Sequence, residues 1–370
     1  MDWLSQPSDV RWWGSIVVVF VISAVVTALG IHYARRRNLI DHPGQRRSHG
    51  EPTPRGGGIG LVAAALCLFA AEMIILPREA LTDLLGCWIA LALVAAVGWI
   101  DDHRGLAARW RIMVHALAAA IVLAEMTSAA ISTGSAAAGA PAIAYAIMLG
   151  VIWLSLVWSI NLHNFMDGID GLLGWQALFV FLALAALMAT SGADADAWHL
   201  CALAAAVAGF IPFNFPRARV FMGDVGSGAL GLLIGICVLR QLTVSEVEPF
   251  SGLIACSAFV VDASCNLVSR MLRGKRWYSA HREHLYQWMV RAGMSHARVV
   301  AWYMGWNLFI VAPVLWQLNR AWSTQPADGA AIVRGLEALA AIYGLGVALW
   351  IFGKRWCLRR ARTCRCDRVA

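Results

Sequence analysis

The chain has 370 residues, 60% of them hydrophobic and 14% charged, with 33 glycines and a formal net charge of +8. Soluble domains carry about 25% charged residues and about 45–50% apolar ones with glycine counted, so this chain has too little charge to cover a water-facing surface. That excludes an ordinary soluble domain, a disordered chain and a secreted disulfide scaffold, and leaves a polytopic membrane protein.

Apolar stretches recur near 15–33, 57–76, 84–100, 111–129, 142–160, 172–190, 198–215, 226–244, 250–269, 298–317 and 332–352. Each has roughly 17–22 residues, enough to cross a hydrocarbon core of about 30 Å. A helix is the open-ended structure that satisfies its own backbone in lipid, so the expected fold is all-α, with about eleven transmembrane helices. The count falls to ten if the 198–226 region is drawn differently. The Arg35-Arg36-Arg37 cluster follows the first stretch instead of preceding it, unlike a cleaved signal peptide. No internal repeat or long linker is visible, so residues 1–370 read as one transmembrane domain, with 354–370 a basic cytoplasmic tail.

Basic residues set the orientation. If the loop after the first helix is cytoplasmic and the helices alternate, 25 of the 30 Lys and Arg fall on the cytoplasmic side. The other side keeps Arg11, Arg78, Arg240, Arg320 and Arg334. This predicts an N-out, C-in topology. The same orientation puts Asp41, Asp101, Asp102, Asp167, Asp170, Asp224, His49, His281 and His284 on the cytoplasmic face, while outer loops such as 132–137 are bland. Ion pathways place ionisable groups near mid-bilayer; groups gathered at helix ends on one face suit an enzyme joining a soluble substrate to a lipid one.

Four constellations carry the chemistry. Trp99-Ile100-Asp101-Asp102 places adjacent carboxylates where the third helix leaves the membrane, although a bare Asp pair is often only solvated charge. In Asn164-Phe165-Met166-Asp167-Gly168-Ile169-Asp170-Gly171-Leu172 the glycines favour a turn that lets a ligand approach the backbone. In Phe221-Met222-Gly223-Asp224-Val225-Gly226-Ser227-Gly228 a carboxylate opens the eighth helix. It offers a hard oxygen for a metal, beside N–H groups and a positive dipole for a phosphate; the plainer alternative is that Asp224 caps the helix. The fourth, His281-Arg282-Glu283-His284-Leu285-Tyr286-Gln287, shares its loop with Arg270, Arg273, Lys275 and Arg276. No Cys or third His stands at zinc spacing, so phosphate binding is preferred over a metal, with a headgroup-facing basic loop as the alternative.

In this order the four resemble the polyprenyl-phosphate N-acetylhexosamine-1-phosphate transferases, glycosyltransferase family 4, which includes the enzyme making lipid I of peptidoglycan. The resemblance runs from Asp41-His42-Pro43, Arg46, Arg47 and His49 through Pro52–Gly57, the constellations, Asn214, Asp262, Arg270 and Gly274 to Gln287. It implies transfer of an N-acetyl-sugar-1-phosphate from a UDP-sugar to undecaprenyl phosphate, with release of UMP and a requirement for Mg²⁺, for which Mn²⁺ substitutes. By the same resemblance Asp224 is the magnesium ligand, with Asn164 a second metal contact. Asp101 and Asp102 support the metal or activate the lipid phosphate, and Asp167 and Asp170 belong to the active-site run. Gly171, Leu172, Asn214 and Phe221 form the uridine pocket, with Phe221 the stacking ring. His281, His284, Arg282, Arg55 and His49 contact the donor phosphates or sugar. The loop lacks three consecutive His and looks closer to the branch that initiates O-antigen and other surface polysaccharides, which implies a donor such as a 6-deoxy N-acetyl sugar.

The implied chemistry is consistent with elementary electrostatics. Two phosphates must meet, so neutralisation of charge should dominate catalysis. A phosphate monoester has a second pKa of about 6, so a lipid phosphate is already mostly dianionic at neutral pH. Asp101 and Asp102 are therefore expected chiefly to position metal and acceptor. The implied location is the bacterial inner membrane, with a cytoplasmic site, no nucleic-acid partner, and a homodimer compatible with the sequence. A transporter or flippase for a lipid-linked sugar would show a mid-membrane charged site and inverted repeats, and a catalytically dead scaffold would not keep Asp101, Asp102, Asp170 and Asp224. Asp262, Glu72, Glu125 and His115 read as packing or helix–helix hydrogen bonds. Most of the 18 Trp read as interfacial belt, and Cys364-x-Cys366 does not read as a metal site.

Overall fold

The computed structural model describes residues 10–42, 51–75, 78–132, 141–244, 246–275, 283–324 and 329–366. The first helices are α1 (Val10–Arg36), α2 (Ile59–Ile75), α3 (Arg78–Arg104), α4 (Ala108–Ser132) and α5 (Ala142–Met166). They are followed by α6 (Leu172–Thr190), α7 (Asp194–Asn214), α8 (Gly223–Gln241), α9 (Ser251–Ala255) and α10 (Ser257–Leu272). The chain ends with α11 (Leu285–Arg291), α12 (His296–Trp306), a π-helical turn Asn307–Val311, α13 (Ala312–Thr324) and α14 (Gly329–Cys366). Two-residue strands β1 (Ile40–Asp41) and β2 (Thr53–Pro54) pair antiparallel, Ile40 opposite Pro54.

All eleven apolar stretches are helical. Among the described residues nine spans have the length and apolarity to cross a membrane, one of them running through the π-turn from His296 to Thr324. The other two stretches are shorter than expected. α2 has 17 residues. The 250–269 stretch breaks at Cys256 into α9 and the 16-residue α10. α10 carries Asp262, Asn266 and Arg270 at i, i+4, i+8, and all three are buried, so its polar face turns into the protein. The basic stretch after residue 354, expected as a tail, is helical through Cys366 and continues α14.

α8 lies at the centre, packed against α2, α3, α5 and α6. Its glycines explain how: a Cβ on Gly231 would stand 2.7 Å from the Cα of Ile160 on α5. Small residues let helices approach closely where lipid supplies no hydrophobic drive. α1 packs on α2 and α7, with Ser23 Oγ donating to the Ala206 carbonyl at 2.6 Å. The apolar residues left exposed, such as Val17, Val21 and Val25 on α1 or Ile147, Val151 and Leu154 on α5, face outward as lipid-contacting rows would.

Candidate active site

The sequence puts a helix end at each of the predicted polar motifs, and the fold brings these ends together. Asp101 and Asp102 close α3, Arg111 opens α4, Asn164 closes α5 and Asp224 opens α8. Gly171, at φ 76°, turns the chain from the Asp167–Asp170 loop into α6, a conformation that favours glycine.

The two adjacent aspartates make different contacts. Asp102 is buried, and its carboxylate accepts the backbone N–H groups of Asp224 at 3.1 Å and Val225 at 3.2 Å. It thus satisfies the start of α8 from a neighbouring helix. Arg55 Nη2 donates to the same carboxylate at 2.6 Å, which neutralises it. These N–H groups are therefore occupied, and the expectation that they would bind a ligand phosphate is corrected: a buried protein carboxylate already sits there. Asp224 does not cap its own helix either; its side chain is turned to other partners.

Asp101 accepts the Leu106 N–H and the Arg111 guanidinium, Nη1 at 2.8 Å. The same Nη1 lies 2.5 Å from Asp224 Oδ2, so one cation holds two carboxylates of α3 and α8. Asp224 Oδ1 accepts the Asn164 amide at 3.0 Å, and that amide also donates to Ser227 Oγ at 2.9 Å. Asn164 Nδ2 thus orients Asp224, leaving its oxygen as the atom for a cation.

Asp167 is half-buried beside this group, and no hydrogen bond to its carboxylate is present among the described residues. Burial first, then the nearby charges of Asp224, Asp102 and Asp170, push its pKa up to about 8. Asp170 is held separately: Oδ2 accepts the Ala218 N–H at 3.2 Å and lies 3.2 Å from His296 Nδ1.

The donor set is made of hard oxygens and carries more carboxylate than the two arginines balance. No cluster of three His, Cys, Asp or Glu at metal-ligating distance occurs among the described residues. That pattern fits Mg²⁺, which takes one or two carboxylates together with substrate phosphates, and does not fit a closed structural metal site. Asp224, Asp167 and the Asn164 oxygen are the atoms suited to it.

Other predicted residues are walls of the site. Asn214 is buried, accepting the Gly171 N–H at 2.8 Å and donating to the Val220 carbonyl at 2.9 Å, and Leu172 is fully enclosed. Both pack the loop that carries Gly171. Phe221 is half-buried; its N–H donates to the Pro54 carbonyl and its carbonyl accepts the Gly57 N–H, so the 53–58 segment is stitched to the entrance of α8. His284, expected at the reacting phosphates, is buried with Nδ1 3.8 Å from Asp262. Burial lowers its pKa. It is Tyr286, two residues on, that reaches the aspartate loop, donating to the Phe165 carbonyl at 3.0 Å and filling the space over Gly168. His49, His281 and Arg282 lie outside the described residues.

Arg111 and His296 stand outside the motifs that the sequence singles out, and Ser227 and Tyr286 lie within them without an assigned role. Arg111 and His296 each stand in the first turn of a helix on the same end of the bundle, a signal the sequence did hold. The residues read as structural behave so: Asp262 accepts Leu285 N–H, Tyr303 Oη and Trp350 Nε1, Glu72 pairs with His199 at 2.8 Å, and Glu125 accepts the Gly86 N–H.

Residues 84–241, which hold Asp101, Asp102, Asp167, Asp170 and Asp224, match the profile of glycosyl transferase family 4. The chain is 27% identical over 315 residues to the decaprenyl-phosphate N-acetylglucosaminephosphotransferase of Mycolicibacterium smegmatis, covering 77% of this chain and 78% of that one. It is 28% identical over 293 residues to the undecaprenyl-phosphate alpha-N-acetylglucosaminyl 1-phosphate transferase of Yersinia pestis, covering 76% and 77%. The Escherichia coli K12 protein of the same name is 25% identical over 292 residues, covering 76% and 77%.

Proposed function

Because residues 84–241 match glycosyl transferase family 4 and the relatives are polyprenyl-phosphate N-acetylglucosamine phosphotransferases, we propose that the chain transfers an N-acetylhexosamine-1-phosphate from a UDP-sugar to a polyprenyl phosphate such as undecaprenyl phosphate. The observation that carries this is the carboxylate-rich cluster of Asp101, Asp167 and Asp224 at one end of a membrane bundle, tied by Arg111 and Asn164. In the proposed reaction an oxygen of the lipid phosphate attacks the sugar-linked phosphorus of the donor. A new phosphorus–oxygen bond forms, the bond to the nucleotide phosphate breaks, and UMP leaves with that electron pair. A bound Mg²⁺ supplies positive charge to the pyrophosphate.

The protein's own part is placement. Arg111 fixes the distance between α3 and α8, Asn164 aims the Asp224 carboxylate, and Asp102 with Arg55 holds the first turn of α8 rigid. Both Asp101 and Asp102 are occupied by hydrogen bonds, which supports positioning over proton removal, and a dianionic acceptor needs no base. The names of the relatives favour N-acetylglucosamine as the sugar over the 6-deoxy donors suggested by the 281–287 loop. We assign the site to the cytoplasmic face of a bacterial inner membrane, where the basic residues cluster, and the product to initiation of a cell-surface glycan.

A donor panel tests this. Purified protein given undecaprenyl phosphate, Mg²⁺ and one UDP-N-acetyl sugar at a time should form a lipid-linked sugar diphosphate with UDP-N-acetylglucosamine. Product with a deoxy donor alone moves the assignment to a deoxy-sugar enzyme. No product with any donor overturns it.

A further inference from the structure

Beyond the carboxylate cluster, α10, α11 and α14, with Lys275 and Glu283, line an open cavity of about 540 Å³. Among the described residues its wall carries Arg270, Arg273, Lys275, Arg291, Lys354 and Arg355 against a single acid, Glu283. Glu283 Oε1 accepts Arg270 Nη1 at 2.9 Å and Lys275 Nζ at 2.8 Å, and Arg273 Nη1 lies 4.0 Å from Oε2. The nearest other carboxylate, Asp262, is consumed by Leu285, Tyr303 and Trp350. Lys354 Nζ sits 4.2 Å over the Trp350 ring, and the Arg291 guanidinium 4.8 Å over Trp288, so rings hold part of the basic wall in place.

Among the described lining residues six cations face one carboxylate, a balance that favours entry of an anion. The same helices say what kind. Leu272 on α10 is 84% exposed and Phe352 on α14 is 67% exposed, with Val268, Met271 and Trp356 also exposed beside them. These helices thus turn apolar rows outward, and the cavity itself sets Trp288, Ile351 and Leu358 among its cations, a combination suited to a lipid headgroup whose chains stay in the bilayer. None of its lining residues belongs to the carboxylate cluster. Tyr286 of α11 turns to the Phe165 carbonyl, whereas Trp288 and Arg291 of the same helix line the cavity.

We propose that this cavity is a binding site for the headgroup of an anionic phospholipid, best filled by two phosphates, and separate from the site of sugar-phosphate transfer. A single phosphodiester brings one negative charge; a bis-phosphate headgroup leaves less of the excess uncompensated.

The test is retention of lipid by full-length protein in neutral detergent, read by native mass spectrometry with cardiolipin, phosphatidylglycerol, phosphatidylcholine, undecaprenyl phosphate and inorganic pyrophosphate as probes. Cardiolipin should be held most tightly, then phosphatidylglycerol, with phosphatidylcholine not retained. The exposed pair Arg273→Gln with Arg355→Gln should weaken cardiolipin about thirtyfold, at roughly fivefold per basic residue near an anionic headgroup. Arg320→Gln with Arg334→Gln, at the opposite end, should leave it unchanged. If the first pair does not yield monodisperse protein, Lys275→Gln alone serves, with a smaller loss expected. Equal retention by variant and wild type, or retention of phosphatidylcholine equal to cardiolipin, overturns the proposal. So does a loss in the variant that falls on undecaprenyl phosphate or pyrophosphate instead of cardiolipin, since the cavity would then serve the substrates.

Discussion

Asp101 and Asp102 are adjacent in the chain yet do separate work, and substitution should part them. Asp102 holds two backbone N–H groups of α8 and the Arg55 guanidinium. Asp102→Asn keeps one acceptor but removes the charge that balances Arg55, so it should cost about 1–3 kcal/mol of stability. At saturating Mg²⁺ its turnover relative to wild type should stay constant from about pH 6 to about pH 9, whereas recovery toward wild type at high pH would mark a general base. Asp167 has the opposite character, a carboxylate among carboxylates with a pKa pushed up to about 8. Below that pH it holds a proton, and a divalent cation must displace it. Apparent Mg²⁺ affinity should therefore rise with pH up to about 8 and level off above, with proton release on binding. Isothermal titration in two buffers of different ionisation enthalpy reads that release, and Asp167→Asn should abolish it.

At the scale of elements, the site depends on how closely α3 approaches α8. A Cβ on Gly98 would stand 2.5 Å from the carbonyl carbon of Asp224 and 2.6 Å from Val225 N, against backbone that has no rotamer to yield. Gly98→Ala should push the first turn of α8 outward, costing about 1–3 kcal/mol and about a hundredfold in turnover through misplacement of Asp224. Gly150→Ala on α5, with nothing within 4 Å of the added carbon, should change neither, and circular dichroism with an activity assay separates the two. The helices were legible because apolar length is set by the bilayer, and the turn at Gly168 and Gly171 because glycines interspersed with Asn and Asp suit a turn and not a lipid span. The break at Cys256 was not, since residues 250–269 are apolar enough throughout to read as one span; it is the inward polar face at Asp262, Asn266 and Arg270 that shapes α10. Likewise the motifs anticipated which helix ends meet, but nothing local told Asp102, which caps α8, from Asp224, which turns to Arg111 and Asn164. That distinction lies in contacts 122 residues apart along the chain.

For the whole molecule, the positive charge and the polar helix ends coincide. The C-terminal end of α3 and the N-terminal end of α8 meet at the carboxylate cluster, while Thr190 and Asn319 bond at the far end of the bundle. Single cysteines at exposed Ala107 and Ala195 should report opposite sides. In intact cells a membrane-impermeant maleimide should label Ala195→Cys above the unsubstituted chain, and reach Ala107→Cys only after permeabilisation. The reverse pattern would put the site on the outer face, away from any cytosolic nucleotide sugar. The account as a whole rests on Asp224 as the carboxylate that makes the transfer cation-dependent. The most direct test is UMP release from UDP-N-acetylglucosamine by purified protein with undecaprenyl phosphate, with and without Mg²⁺, for wild type and for Asp224→Ala shown to fold. Mg²⁺-dependent UMP release by wild type and none by the variant is the expected result; turnover by Asp224→Ala equal to wild type would contradict it.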